Sequence, residues 1–145
     1  MKVRQVDTDD TFNIRKEVLR PDGTIEECSF EGDNNESTFH LGAYIDDNLA
    51  SVASFYLDNH PKIKDAYQFR LRGMATLPQF RKRGLSQALL QTAFPLIKQN
   101  NIETLWCNAR TSAQGFYEKV GFEVVSDVFD IPDVGPHVVM IKHIS

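Results

Sequence analysis

Three cations, Arg81, Lys82 and Arg83, stand directly before Gly84 at the head of an amphipathic run, "PQFRKRGLSQALL", Pro78 to Leu90. A helix starting here has backbone N–H groups without internal partners and about half a positive charge from its macrodipole. Adding cations at that end is unfavourable for the protein alone. A bound diphosphate reverses the balance, because its oxygens take up both the amides and the charge. Gly84 lets a ligand approach the backbone, Leu85 starts the apolar stripe, and Ser86 is small enough to leave the next amide open. The spacing Pro-x-x-Arg-x-x-Gly-x-Ser is neither GxxxxGK[ST] nor GxGxxG, so the stretch reads as a phosphate cradle of another kind.

Other chemistries find little support. Cys28 and Cys107 are isolated, without CxxC or Cys/His spacing, so neither a disulfide framework nor a zinc site is expected, and no metal. No Ser/His/Asp or Cys/His constellation marks a protein nucleophile. His40, in "TFHLGAY", reads as a partly buried structural histidine.

The elements that must position the cradle follow from periodicity. "MKVRQV" reads as a strand and "TDDTFNIRKEVL" as a helix capped by Thr8 or Asp9. A loop-rich stretch follows, with turns at Asp22-Gly23 and Gly32-Asp33. "TFHLGAYI" and "LASVASFYL" form a hairpin about "IDDN", and "AYQFRLRGMATL" is a strand ending at Pro78. Leu85, Ala88, Leu89, Thr92, Ala93, Leu96 and Ile97 follow helical spacing, and Pro95 is expected to kink that helix or loosen its last turns. "IETLWCNA" is the next strand. Thr111 or Ser112 is expected to cap the helix "AQGFYEKV", which Gly121 stops, and "FEVVSDVFDI" and "HVVMIKHI" end the chain as two strands. The sum is a mixed α/β domain: strands, then strand–helix–strand–helix, then a terminal hairpin.

With 145 residues, 41% hydrophobic and 25% charged, the chain is expected to form a single globular domain over residues 1–145. No apolar run nears the roughly 18 residues that span a bilayer. The acidic start without an apolar core points to the cytoplasm. The net charge of −4 divides unevenly: residues 1–60 carry thirteen Asp/Glu against five Lys/Arg, and residues 61–145 seven against eleven. The basic part suits a polyanionic ligand and the acidic part a cationic one. A pI near 5.5 argues against nucleic-acid binding.

"MATLPQFRKRGLSQALL" resembles the acyl-CoA pyrophosphate loop of the GCN5-related N-acetyltransferase (GNAT) superfamily, [Q/R]-x-x-G-x-[G/A]. Arg81, Gly84 and Ser86 fall on its positions, and Ser86 adds a hydroxyl to the small side chain the pattern prefers. A second segment, "ARTSAQGFYEKVGF", is similar to the family's N-x-x-A-x-x-[LF]-Y-E-K-x-G-F, matching at Ala113, Phe116, Tyr117, Glu118, Lys119, Gly121 and Phe122. The resemblance spans the chain and is strongest over residues 70–123.

It implies a mixed, mostly antiparallel central sheet flanked by helices, with the acyl-CoA site at splayed strands in mid-sheet. It also implies direct transfer of an acetyl group from acetyl-CoA to a primary amine of a small molecule, through a ternary complex and without a covalent enzyme intermediate. Met74, Ala75 and Thr76 are then expected along the pantetheine arm. Arg81, Lys82, Arg83, Gly84, Leu85 and Ser86 would hold the diphosphate, with Arg110 and Phe116 as further carrier contacts. Tyr117 is the family's usual acid, a core aromatic being the alternative, in which Phe116 takes the buried side. Arg110 stands where many relatives have Asn, and it reads equally as a surface arginine or a phosphate ligand. The strand before the loop offers Gln68, Arg70 and Arg72 where many relatives supply a carboxylate, so the base stays unassigned. "EECSFEGDNNE", residues 26–36, has five acids and no base, which suits a cationic acceptor or is a solvated acidic loop. A carrier-sensing module that binds without turnover is the alternative function, and a homodimer is left open.

Overall fold

The computed structural model describes residues 1–144. Among the described residues eight strands and three α-helices make a mixed α/β fold whose open sheet is mostly antiparallel. The chain packs as two compact units, residues 1–57 with 71–94, and residues 58–70 with the chain from Pro95 onward.

In the first unit the strand order is β1 (Lys2–Val6), β2 (Phe39–Ile45), β3 (Asn48–Leu57), β4 (Phe69–Thr76), the last beginning in the other unit. β1 and β3 flank β2 antiparallel, from Val3↔Ala43 to Phe39↔Phe55. Asp46 and Asp47 turn the β2–β3 hairpin with φ of 47° and 67°. A two-residue hairpin loop of the primed type needs those left-handed values, which Asp tolerates. Residues Ala50 to Tyr56 are all buried, as expected of a strand covered on both faces.

Helix α1 (Thr8–Ile14) is capped one residue earlier than expected, by Asp7, whose N–H donates to Asp10 Oδ2 at 3.0 Å. The helix continues as a π-turn, Arg15–Leu19, closed by Arg20 N–H on Arg15 O at 3.1 Å. Ile14 packs with Val52 and Ala75, and Val18, Leu19, Leu49 and Leu77 complete that cluster. Each such aliphatic side chain, once fully buried, contributes about 1.5–3 kcal/mol. α2 (Leu85–Gln99) buries Leu85, Leu89, Leu90 and Ala93 in this unit. Pro95 does not end α2, which runs on for four residues to Gln99.

In the second unit the order is β4, β5 (Thr104–Arg110), β8 (Gly135–His143), β6 (Glu123–Val124), with β7 (Phe129–Ile131) also on β8. β5 (Thr104–Arg110) pairs parallel with β4 at Phe69↔Leu105 and Arg70↔Trp106, and antiparallel with β8 (Gly135–His143) along its length. The expected long strand before the last hairpin is two short ones, β6 (Glu123–Val124) and β7 (Phe129–Ile131). Ser126 interrupts it: its Oγ accepts the Val139 N–H at 2.8 Å, so a side chain replaces a ladder bond. The expected β4 also starts late, because residues 58–68 are held as a loop around buried Gln68. Its amide donates to Ile63 O and Asp65 O at 3.0 and 2.9 Å and accepts the His60 N–H at 2.8 Å. The second helix begins at Gln114 rather than Ala113. Thr111–Ala113 form a 3-10 turn before α3 (Gln114–Lys119), so neither Thr111 nor Ser112 is its cap. The helix ends with Phe122 N–H on Tyr117 O at 3.0 Å and Gly121 N–H on Glu118 O at 3.1 Å, a Schellman closure.

Candidate functional site

The cradle lies wholly in the first unit. After Thr76, Leu77 N–H donates to Ala50 O at 2.9 Å, which anchors the exit from β4. Pro78–Phe80 make one 3-10 turn, and α2 begins at Leu85. Between them Lys82 and Gly84 are left-handed, with φ of 63° and 76°. Arg81, Lys82, Arg83 and Gly84 are all exposed. A Cβ built on Gly84 would meet nothing within 4 Å, so the glycine serves the backbone turn and the space beside it is open. Ala88 N–H closes on Gly84 O at 3.0 Å, which leaves the amides of Leu85, Ser86 and Gln87 ahead of the helical ladder. An open glycine turn, three exposed cations and the leading amides of a fifteen-residue helix thus stand together, the donors and charge that an anion with several oxygens would use.

Ser86 has a role the sequence did not announce. Its Oγ lies 3.3 Å from Thr76 Oγ1, which is 2.7 Å from Ser51 Oγ, and the Ser51 hydroxyl donates to Ala75 O at 3.0 Å. The extra hydroxyl thus ties the first turn of α2 to the end of β4. Met74 and Thr76 are half-buried and Ala75 is buried.

Arg110, Phe116 and Tyr117 lie in the second unit, Arg110 exposed at the end of β5 and the two aromatics on α3. The order of burial in the aromatic pair is the reverse of that expected for a core "FY" pair. Tyr117 is buried and Phe116 half-buried, their rings edge to face at 5.2 Å, with Phe122 at 5.2 Å on Tyr117 as well. Burial raises the Tyr117 phenol well above its ordinary value, keeping it protonated. Burial likewise pushes the Cys107 thiol up to about 12, so the thiolate form is absent at neutral pH.

A buried polar cluster that periodicity alone does not single out is centred on Arg15. Arg15 is fully buried and forks onto Asp33, Nη1 to Oδ2 at 2.8 Å and Nη2 to Oδ1 at 3.0 Å. Nη1 also donates to Cys28 O at 2.9 Å, and Nη2 to Ser54 Oγ and Tyr56 Oη at 2.9 and 3.2 Å. Tyr56 donates to Asp33 Oδ1 at 2.5 Å, and burial with that bond pushes its phenol up to about 12. Burial pushes the Asp33 carboxyl up, but the bonds from Arg15, Tyr56 and the Phe30 N–H outweigh it and hold the group below its ordinary value. A signal was present: Thr8, Thr11, Ile14 and Arg15 share one helical face and all are buried.

His40 belongs to this cluster. Its Nε2 donates to the Asp33 carbonyl at 3.0 Å, and its Nδ1, 2.6 Å from Ser54 Oγ, accepts that hydroxyl. Burial lowers its pKa, so the ring is neutral with both nitrogens engaged. Of the five acids in residues 26–36, Asp33 is consumed by Arg15, while Glu26, Glu27, Glu31 and Glu36 face solvent. Among the described residues no group of His, Cys, Asp or Glu is arranged to hold a metal ion, and no helix is long and apolar enough to cross a membrane.

The sequence pattern of the family described as "Acetyltransferase (GNAT) domain" matches residues 15–142. A Bacillus subtilis (strain 168) protein called "Uncharacterized N-acetyltransferase YitI" is 38% identical over 142 residues, 98% of this chain and 95% of that protein. An aminoglycoside 6'-N-acetyltransferase solved in complex with coenzyme A superposes with a TM-score of 0.77 at 16% identity, covering 100% of this chain and 98% of that one. The ribosomal-protein-S18-alanine N-acetyltransferase of Escherichia coli gives 0.77 at 19% identity over 99% and 94%. These two structural likenesses show the fold.

Proposed function

The chain belongs to the GNAT acetyltransferase family, and from that premise we propose that it moves an acetyl group from acetyl-CoA to a primary amine of a small acceptor. The observation that carries this reading is the cradle: exposed Arg81, Lys82 and Arg83 around an open, left-handed Gly84 at the start of α2. Arg81 to Ser86 would hold the carrier's diphosphate, and the backbone of Met74, Ala75 and Thr76 its pantetheine arm. The solved neighbour that holds coenzyme A supports the same choice of carrier.

In the proposed reaction the amine nitrogen bonds to the acetyl carbonyl carbon and the carbon–sulfur bond breaks. The leaving sulfur takes a proton from Tyr117, and the ammonium proton passes to water or a base. Burial keeps Tyr117 protonated at neutral pH, so the proton is in place when the sulfur leaves, while the same burial makes the phenol a weaker acid that the developing charge on sulfur must draw on. Alignment of the two substrates supplies several kcal/mol of the barrier lowering. His40 is not the base, since both nitrogens are bonded inside the Arg15 cluster. We retain Arg110 and Phe116 as carrier contacts and residues 1–145 as one acetyltransferase domain. The solvent-facing acids of residues 26–36 favour a cationic acceptor, with four rather than five charges available.

A second reading, a module that senses acetyl-CoA without turnover, is favoured by the closed His40 and the lack of a carboxylate at Gln68, Arg70 and Arg72. Calorimetry with acetyl-CoA, run beside thiol release across a panel of primary amines, separates the two. Binding with amine-dependent thiol release supports the transferase. Binding without release on every amine supports the sensor, and no binding ends both.

A further inference from the structure

Much of what buried Arg15 holds belongs to the long segment between α1 and β2. Its Nη1 donates to Cys28 O and to the Asp33 carboxylate, and that carboxylate also accepts the Phe30 N–H at 2.8 Å. Asp33 N–H in turn reaches Phe30 O at 3.1 Å. The backbone of Phe30 is thereby fixed through the ion pair. The Phe30 ring is fixed as well, with the guanidinium carbons of Arg15 and Arg72 at 4.2 and 4.3 Å from its centroid.

Beneath this ring lies Gly73 of β4. Its φ is +67°, and a Cβ there would sit 2.9 Å from Phe30 Cε2 and 3.4 Å from Arg15 Nε. Only bare backbone lets the ring come so close. Arg15 Nε itself has no hydrogen-bond partner among the described residues. A buried donor left unpaired carries a cost, accepted here where the guanidinium lies against the ring with its fork on Asp33.

We infer that Phe30 is a specificity-determining residue for the acyl acceptor, and that Arg15 is the positioning residue that holds it on Gly73. The inference rests on the acetyltransferase reading. Gly73 immediately precedes Met74, Ala75 and Thr76, the residues assigned to the acyl-bearing arm, so a ring resting on Gly73 bounds the space an attacking amine enters. The ring is rigid and half-buried, with both its backbone and its ring held. It admits an amine on a slender chain and excludes one on a bulky ring system.

The test uses the full chain as wild type, Phe30→Ala, Phe30→Tyr and Arg15→Lys. Each is measured for acetyl-CoA affinity by calorimetry and for thiol release from acetyl-CoA with spermidine, with kanamycin and without amine. Acetyl-CoA affinity is expected to stay within about twofold in every variant, because the cradle is untouched. Phe30→Ala shifts the kanamycin-to-spermidine ratio of kcat/KM about tenfold towards kanamycin, through KM. Arg15→Lys, which keeps the charge but loses the fork, moves the ratio the same way, and Phe30→Tyr keeps the wild-type ratio. If neither amine is turned over, release without amine reads the same wall. There water attacks the acetyl carbon, the carbon–sulfur bond breaks and coenzyme A leaves as the thiol. Phe30→Ala then raises that rate about threefold. A Phe30→Ala protein that binds acetyl-CoA yet shows neither change overturns the inference alone. A wild-type protein without acetyl-CoA affinity overturns the acetyltransferase reading as well.

Discussion

Arg15 and Asp33 meet as a fork on a carboxylate, at 2.8 and 3.0 Å, with side-chain exposures of 0% and 2%. Two charges removed from water this thoroughly are tolerable because the fork and the further bonds to Cys28, Ser54, Tyr56 and Phe30 satisfy every polar atom of the pair except Arg15 Nε. Breaking the pair from one side leaves the other uncompensated. Arg15→Met or Asp33→Leu is expected to cost about 3–5 kcal/mol in urea unfolding. Replacing both residues together costs less than the sum, and strict additivity would contradict the coupling.

The same cluster sets an acid limit on stability. Burial holds His40 below its ordinary value of 6.5, and bonds from Arg15, Tyr56 and Phe30 hold Asp33 below 3.8. For both groups the unfolded chain binds protons at a pH where the folded chain does not, so stability rises with pH. It is full above about pH 6.5, falls below that as His40 is forced to protonate, and falls further below the carboxylate range. Urea midpoints from pH 8 to pH 4 measure this. In His40→Gln the upper part of the fall shrinks, with a remainder from His60, which is also held below its ordinary value, and an unchanged profile would place the titration elsewhere.

Arg81 and Arg83 are exposed and enter no salt bridge among the described residues, so their loss tests binding without disturbing the fold. Arg81→Gln with Arg83→Gln is expected to weaken acetyl-CoA about tenfold or more and to flatten its salt dependence, since charge-assisted phosphate bonds are lost. The unfolding free energy stays within about 0.5 kcal/mol. Equal affinity in the double variant would remove these side chains from the site.

Tyr117→Phe keeps the ring contacts with Phe116 and Phe122 and removes only the hydroxyl. As the proton donor to sulfur, Tyr117 predicts a fall in kcat of about tenfold or more with little change in acetyl-CoA affinity. Unaltered turnover would leave it a core aromatic.

Cys107 is buried with its thiol pushed up to about 12, which rules it unfit as an acetyl carrier at neutral pH. A folded Cys107→Ala protein is therefore expected to retain full thiol release. Loss of transfer with acetyl-CoA binding intact would point instead to a covalent route through Cys107.

The fold was legible where one residue type enforces one conformation. Asp46-Asp47 gave the hairpin, Gly121 the end of α3, and the apolar stripe from Leu85 the course of α2. It was less legible where side chains compete with the backbone: Ser126 splits the penultimate strand and Gln68 gathers a loop where strand was expected. The exposed, left-handed loop of Arg81 to Gly84 before α2 could be read because its residues are adjacent in sequence. The Arg15 cluster could not, since its members Thr8, Arg15, Asp33, His40, Ser54 and Tyr56 come together only through the π-turn of α1 and the pairing of β2 with β3. A lone arginine on an amphipathic helix reads as solvated, and only the buried face of Thr8, Thr11 and Ile14 betrays it.

Titration of acetyl-CoA into the full chain, at low and at high salt, tests the central claim most directly. The cradle predicts saturable binding of one molecule per chain, weakened as salt rises and lost with Arg81 and Arg83. An absence of binding at low salt by a cooperatively folded protein would contradict it.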